Sequence, residues 1–172
     1  RTGKAIALHD LLDEISVDAA RYYFNNRAAT SPLDFDLDLA VRQDSENPVY
    51  YVQYAHARIC SLIARLAEED GAAVPTGAVD AAMLATAEEL ALVKSLAQYP
   101  EEIHLAARDY DPSRVNRYLT ALAGDFHRFY NACRLKGEAE AVLSARLKLA
   151  DTVRSVLANG LNLLGVTAPE KM

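Results

Sequence analysis

The stretch NPVYYVQYAHARICSLIARL, residues 47–66, predicts a long amphipathic helix. Asn47 is a residue type favoured at helix N-caps, and Pro48 suits the first helical position because its missing N–H would have no partner there. Apolar residues then recur at three- and four-residue steps: Val52, Ala55, Ile59, Leu62, Ile63 and Leu66. Since this spacing places them on one face, we expect that face to pack into a core.

A second face of the same helix carries aromatic and basic residues. Tyr51, Tyr54 and Arg58 stand at i, i+3 and i+7, and Arg65 follows one heptad later. An aromatic stripe at helical spacing usually packs against a neighbouring element, and an isolated arginine usually lies at the surface or in an ion pair. The residues alone therefore leave both packing and ligand recognition open for this face.

Composition and periodicity predict an all-α helix bundle. The 172 residues are 51% hydrophobic and include only seven glycines, so the chain can bury one sizeable core and has little material for turn-rich β structure. Ser16 and Asp36 are expected N-caps, and Thr86 with Glu89 forms a capping box. The spacing of apolar residues returns to 3.6 throughout, which is typical of packed helices.

The second half of the chain is expected to contain several long helices. The capping box predicts a helix to about Gln98, and Pro100 is expected to start a separate one. Asp111 and Pro112 predict the start of a long helix that reaches about residue 135, and the last helix should begin near residue 138. Gly160 costs about 1 kcal/mol inside that helix, so we expect either a packing reason or an early end.

Several functional classes are disfavoured. The formal charge of −6 argues against binding nucleic acid through a broadly basic surface. Cys60 and Cys133 are too few for a disulfide framework, which favours a reducing, cytoplasmic setting, and no segment is long and apolar enough to cross a membrane. The acidic run at residues 34–38 lacks the glycine and the final acid of an EF-hand, and no phosphate loop or nucleophile elbow is present.

Specific motifs give the sequence a family resemblance. Asp18-Ala19-Ala20-Arg21 resembles the Asp-Ala-Leu-Arg motif of the DALR anticodon-binding domain of class I aminoacyl-tRNA synthetases, with Ala20 in place of leucine. The stretches at residues 34–40 and 47–58, and the ending at residues 163–172, resemble arginyl-tRNA synthetase in order and spacing. The opening Arg1-Thr2-Gly3-Lys4 resembles the sequence after that family's Lys-Met-Ser-Lys signature loop.

The resemblance implies an all-α anticodon-binding bundle and names its site. Residues 1–30 would be the end of the connection from a catalytic domain, and residues 31–172 would form the bundle. The positions that match the family's anticodon pocket are Tyr51, Tyr54, Arg58, Tyr130 and Met172. Basic residues around the turn between the last two long helices are further candidates for phosphate contacts: Arg128, Arg134, Lys136, Arg146 and Lys148.

The implied function is recognition of the tRNA(Arg) anticodon loop in support of ATP-dependent attachment of arginine to tRNA. The chain itself would hold no cofactor or metal and would be inactive alone, because ATP and magnesium would bind in a catalytic domain of the parent enzyme. A monomeric state is expected. The alternative is a helical docking or oligomerisation module that uses Tyr51 and Tyr54 as a protein interface, since tyrosine and arginine are enriched in interface hot spots.

Overall fold

The computed structural model describes residues 7–28 and 30–172, and this part of the chain contains seven α-helices and no β-strand. In chain order they are α1 (Leu8–Glu14), α2 (Val17–Asn25), α3 (Leu37–Val41), α4 (Pro48–Asp70), α5 (Ala87–Asp109), α6 (Ser113–Ala132) and α7 (Glu140–Leu163). A single 3₁₀ turn spans Ala81–Met83. The all-α prediction is confirmed, whereas residues 1–4, which carry part of the family resemblance, lie outside the described residues.

Helix α4 lies at the centre of the bundle, as its sequence predicts. Its apolar stripe is buried, with Val52, Ala55 and Ile59 fully inaccessible to solvent. The stripe packs between α6 and α7, which contribute fully buried residues such as Phe126 and Leu157. Burying one face of α4 fixes the direction in which its aromatic and basic face points.

Asn47 occupies the N-cap position of α4, but its side chain makes no capping hydrogen bond to the first turn of the helix. The Asn47 amide instead donates to the carbonyl oxygens of Ala40 (3.2 Å) and Arg42 (2.8 Å). Its Oδ1 accepts a hydrogen bond from the Tyr23 hydroxyl at 3.3 Å. The side chain is 3% exposed, so its bonds fasten α3 and α2 to the start of α4. Pro48 occupies the first turn, as predicted.

The predicted break at Pro100 is wrong, because α5 continues through it from Ala87–Asp109. An internal proline removes one helix hydrogen bond and costs roughly 3 kcal/mol. Contacts before and after the proline offset this cost. Before it, Leu92 is fully buried and Tyr99 packs its ring 5.5 Å from that of Tyr118 on α6. After it, Glu102 pairs with Arg114 of α6 at 2.9 Å. Packing along the whole length of α6 therefore keeps α5 in one piece.

Gly160 has a packing reason for its place inside α7. A Cβ atom at this position would lie 2.5 Å from Cδ2 of Leu119, which is fully buried on α6. The glycine thus permits close approach of α6 and α7. Gly165, just beyond the helix, has φ of 70°, the left-handed conformation that favours glycine after a helix end.

Helix α2 belongs to the core, although it falls within the segment assigned from the sequence to a connection. Tyr22 is fully buried, and its hydroxyl donates to the carbonyl oxygen of Asn116 on α6 at 3.2 Å. Burial raises the pKa of Tyr22 to about 12, so the phenol stays neutral. The Asn116 side-chain amide donates back to the Tyr22 carbonyl at 3.0 Å. These paired bonds fix α2 against α6.

Candidate nucleic-acid interface

A groove between α4 and α6 contains most of the residues expected to recognise a ligand. Its cavity of about 390 Å³ falls within the range of small-ligand sites, about 300 to 1,000 Å³. The α4 side is formed by Tyr50, Tyr51, Tyr54 and Arg58, the α6 side by His127 and Asn131, and the rim by Asp44 and Ser45. We call this cavity the aromatic groove.

Arg58 is held between two aromatic rings. Its guanidinium carbon lies 4.0 Å from the centroid of the Tyr130 ring and 5.8 Å from that of the Tyr54 ring. Such cation–π contacts keep a guanidinium plane in place without consuming all of its hydrogen-bond donors. The packing of α4 on α6 therefore brings Tyr130 together with Tyr54 and Arg58, as predicted.

Two aromatic residues of the groove, Tyr50 and His127, were missed by the sequence analysis, as were Asn131 and the rim residues Asp44 and Ser45. Tyr50 stacks on Tyr54 with ring centroids 6.0 Å apart and planes 7° from parallel. His127 lies 5.0 Å from Tyr51, ring to ring. The i, i+4 spacing of Tyr50 and Tyr54 could have predicted that Tyr50 lies beside Tyr54. No local signal distinguished His127 from the other three histidines.

His127 places a neutral imidazole in the groove. Burial, and then the positive charge of Arg58, lower the pKa of His127 to about 4. Its Nδ1 atom is buried and has no hydrogen-bond partner within the part of the chain that the structure describes. A neutral imidazole offers one donor and one acceptor, so this side chain can bind a polar ligand edge without adding charge.

A second cavity, of about 450 Å³, continues from Tyr130 along the C-terminal half of α4. Arg65, Arg134 and Lys136 line it together with Glu69. Burial by itself raises the pKa of Tyr130, but the adjacent Arg65 and Arg58 outweigh burial and lower it. We call this surface the basic groove, because three cations and one carboxylate line it.

The predicted cluster of five basic residues is only partly formed. Arg134 and Lys136 line the basic groove, and Arg128 is exposed on α6, where it pairs with Asp125. The predicted phosphate contact of Arg146 must be corrected. This residue is 8% exposed and donates from Nε to Glu89 at 2.6 Å, so it forms an ion pair in the interior. Lys148 donates to the carbonyl oxygen of Pro75, which is 3.0 Å away, beside a different cavity.

Met172 lies next to the aromatic groove rather than inside it. The residue lines a separate cavity of about 330 Å³, together with Tyr50, Gln53 and Ser16. Tyr50 lines both cavities, so this residue connects the wall of the aromatic groove with that of the cavity that contains Met172. The structure therefore brings four of the five predicted pocket residues together and places the fifth across one shared wall.

Residues 7–28 and 30–172 contain neither a cluster of metal-ligating side chains nor a candidate membrane-spanning helix. No group of three or more His, Cys, Asp or Glu side chains is arranged to hold an ion there. None of the helices in these ranges combines the length and hydropathy that a bilayer crossing requires.

Residues 52–172 match the family described as the DALR anticodon binding domain. The chain belongs to this family. The matched part of the DALR domain includes Tyr54, Arg58, Tyr130 and Met172, whereas Tyr51 lies one residue before it. Of the residues that line the aromatic groove, Tyr54, Arg58, His127 and Asn131 lie in the matched region, and the other four precede it.

Relatives of this DALR domain are arginine–tRNA ligases. The whole chain aligns with those of Acetivibrio thermocellus and Ruminiclostridium cellulolyticum at 54% and 53% identity, and it spans 30% of the length of each. The structure of Thermus thermophilus arginyl-tRNA synthetase matches with a TM-score of 0.80 and 30% identity, over 92% of this chain and 27% of that one. These similarities confirm the predicted resemblance to arginyl-tRNA synthetases.

Proposed function

We propose that the aromatic groove binds unpaired nucleotides of the tRNA(Arg) anticodon loop. The observation that carries this proposal is the placement of the Arg58 guanidinium, 4.0 Å from the Tyr130 ring and beside the stacked pair Tyr50 and Tyr54. Single-stranded bases are recognised in proteins by stacking on aromatic rings and guanidinium planes, while polar side chains bind their edges. Both kinds of group line this cavity.

The groove divides naturally into a stacking surface and hydrogen-bonding groups. Tyr54 is 37% exposed and offers a ring face, and stacking of one base on such a ring contributes roughly 1 to 3 kcal/mol. His127 and Asn131 lie on the α6 side, where their polar atoms can meet a base edge. Arg65, Arg134 and Lys136 in the adjoining basic groove would contact phosphates of neighbouring nucleotides.

The names of the relatives support a proposal about the setting in which this recognition would act. We infer that the chain is the anticodon-recognising part of an arginine–tRNA ligase, since its relatives carry that name and are about three times longer. Attachment of arginine to tRNA, with the use of ATP and magnesium, would then take place in a catalytic domain of the same polypeptide. We place this activity in the cytoplasm and expect the enzyme to act as a monomer.

A binding experiment with two RNA stem-loops tests the proposal. The 172-residue chain is titrated into a fluorescently labelled anticodon stem-loop of tRNA(Arg), and into a matched stem-loop in which only the middle anticodon base differs. We expect tighter binding of the unchanged stem-loop, because the groove reads a base as well as the phosphate backbone. Equal affinity for the two RNAs would contradict base recognition by this surface.

A further inference from the structure

The segment that follows α7, residues 165–172, forms neither helix nor strand and lies against α2 and α4. Val166 anchors it by apolar contact, since its side chain is 2% exposed. The Arg21 guanidinium donates to the Gly165 carbonyl oxygen at 2.6 Å, and the Asn25 amide donates to the Leu164 carbonyl oxygen at 3.3 Å. Side chains of α2 therefore hold the beginning of this C-terminal segment.

Three polar residues hold the middle of the segment. The Thr167 amide donates to Asp18 Oδ1 at 3.2 Å, and the Thr167 hydroxyl donates to Asp18 Oδ2. Gln53 on α4 donates from Nε2 to Asp18 Oδ2 and to the Thr167 carbonyl oxygen, both at 2.9 Å. We call Asp18, Gln53 and Thr167 the latch.

One histidine extends the same attachment toward the end of the segment. His56, which is 3% exposed, has Nδ1 2.8 Å from the Pro169 carbonyl oxygen. Since a carbonyl oxygen can only accept, the histidine must carry its proton on Nδ1. Gln53 and His56 flank Tyr54 on α4, so the helix that supplies the stacking ring also holds the segment.

The latch determines where the last residues of the chain lie. Beyond Pro169 the segment reaches Met172, which lines its cavity together with Gln53 and Tyr50. Tyr50 is also a wall of the aromatic groove. A segment without secondary structure of its own depends on such side-chain bonds to stay ordered. If the segment is not ordered in the free protein, ordering it on binding costs conformational entropy and lowers the affinity.

We propose that the latch residues Asp18, Gln53 and Thr167 are positioning residues for recognition of the anticodon nucleotide. They fix the C-terminal segment so that Met172 stays in the cavity that it shares with Tyr50, a wall of the aromatic groove, and they need not touch RNA themselves. This inference rests on the proposed function. It also gives the Asp18-Ala19-Ala20-Arg21 stretch a physical role, because both of its charged residues bind the segment.

Substitution of Thr167 tests the latch. Thr167→Val removes the hydroxyl but keeps the size and branching of an exposed side chain, and Thr167→Ser restores the hydroxyl. Binding of both stem-loops is measured by fluorescence anisotropy. We expect Thr167→Val to weaken binding of the unchanged stem-loop roughly three- to tenfold, a size typical of residues that act through a neighbouring segment. The ratio of the two affinities should shrink, while Thr167→Ser stays close to the wild type.

A second variant and a control separate positioning from stability. Asp18→Asn replaces one acceptor of the latch with a donor and should also shrink the ratio. Glu102→Gln removes the negative charge from a cross-helix ion pair with Arg114 (2.9 Å) between α5 and α6, and should leave the ratio unchanged. Melting temperatures are recorded for every variant, and we expect that of Thr167→Val to stay close to the wild type.

The outcomes distinguish the two proposals. If the wild-type chain binds both stem-loops equally, the proposed function fails. If the wild type discriminates and Thr167→Val matches Thr167→Ser, only the positioning role is overturned. A lowered melting temperature of Thr167→Val, with an equal loss of affinity for both RNAs, would also overturn it, because the latch would then serve stability alone.

Discussion

Arg58 combines two properties that can be separated by substitution. Its guanidinium is a charge and also a flat surface stacked on Tyr130. Lysine keeps the charge but not the plane. Stacking is worth roughly 1 to 3 kcal/mol per base, which corresponds to about 5- to 150-fold in affinity.

We therefore expect Arg58→Ala to weaken binding of the anticodon stem-loop by about 10- to 100-fold and Arg58→Lys to recover only part of that loss. Anisotropy titration measures both. Arg117→Ala removes an exposed arginine near the start of α6 and serves as the matched control, with little expected effect. If Arg58→Lys binds the stem-loop as tightly as the wild type, charge alone matters and stacking on the guanidinium plane is contradicted.

Gly124 and Gly160 form a matched pair, since both lie inside helices and differ only in their surroundings. A Cβ at Gly124 would lie 3.5 Å from the Tyr51 hydroxyl, an ordinary contact, whereas a Cβ at Gly160 would clash with Leu119 at 2.5 Å. Alanine gains about 1 kcal/mol of helix propensity at either site. Overpacking at Gly160 adds a cost of about 1 to 3 kcal/mol.

Gly124→Ala should therefore raise the free energy of unfolding by up to about 1 kcal/mol, and Gly160→Ala should lower it by up to about 2 kcal/mol. Urea denaturation of the two variants measures the difference. Stabilisation by Gly160→Ala would mean that Leu119 can move aside, and that the close approach of α6 and α7 is not set by the glycine.

At the scale of helices, Glu89 on α5 joins two elements through a buried charge. Its Oε1 accepts from Arg146 of α7 at 2.6 Å, and its Oε2 accepts from the backbone amides of Ala85 and Thr86, both at 2.8 Å. Burial by itself raises the pKa of Glu89, but the Thr86 amide and the Arg146 guanidinium outweigh it and hold the pKa below its ordinary value. The stabilisation is therefore present above the pKa of the unfolded chain, near 4.3, and is lost as the pH falls through the folded value.

Glu89→Gln should lower the free energy of unfolding at neutral pH by roughly 3 kcal/mol, because the Arg146 charge loses its buried counterion and keeps only the partly exposed Glu138. The variant should also lose less stability than the wild type when the pH falls below about 5, since it lacks the carboxyl group whose pKa is lowered by folding. Urea denaturation across this pH range measures both effects. Glu88→Gln, in the same helical turn, is the control, and an equal effect there would contradict a specific role for Glu89.

The limits of prediction at this scale follow from the distance to each residue's partner. Ser16, Asp36 and Thr86 cap their helices as predicted, because each accepts from an amide three residues ahead. Arg146 was misassigned to the surface, because its partner Glu89 is 57 positions away. The prediction of a helix break at Pro100 was wrong for the same reason, because the contacts that keep α5 continuous are made with residues of α6.

Predictions about the candidate site also succeeded for residues on one helix and failed where the partner is distant in the sequence. Tyr51, Tyr54 and Arg58 share a groove because they lie on one helix, and helical spacing could predict that. Tyr130 joined them through the packing of α6. Met172 was placed inside the pocket by family resemblance, whereas side-chain bonds to the C-terminal segment hold it across Tyr50. Such bonds between distant residues leave no periodic signal in the sequence.

For the molecule as a whole, charge limits how RNA can be held. The net charge of −6 repels the phosphate backbone at long range, so binding depends on the few cations of the two grooves. Each phosphate neutralised on a single strand changes the logarithm of the affinity by about 0.7 per decade of salt. With Arg58, Arg65, Arg134 and Lys136 available, the chain can contact only a small number of phosphates.

We therefore expect the logarithm of the affinity for the anticodon stem-loop to fall by only about 1 to 3 per decade of salt. Lys136→Gln should reduce this slope by about 0.7, since its surface ion pair with Glu69 is weak enough to exchange for a phosphate. Lys148→Gln removes the same charge from a position beside a different cavity and should leave the slope unchanged. Titrations between about 50 and about 200 mM salt measure all three slopes. Equal slopes for the two variants would show that RNA senses net charge rather than the basic groove.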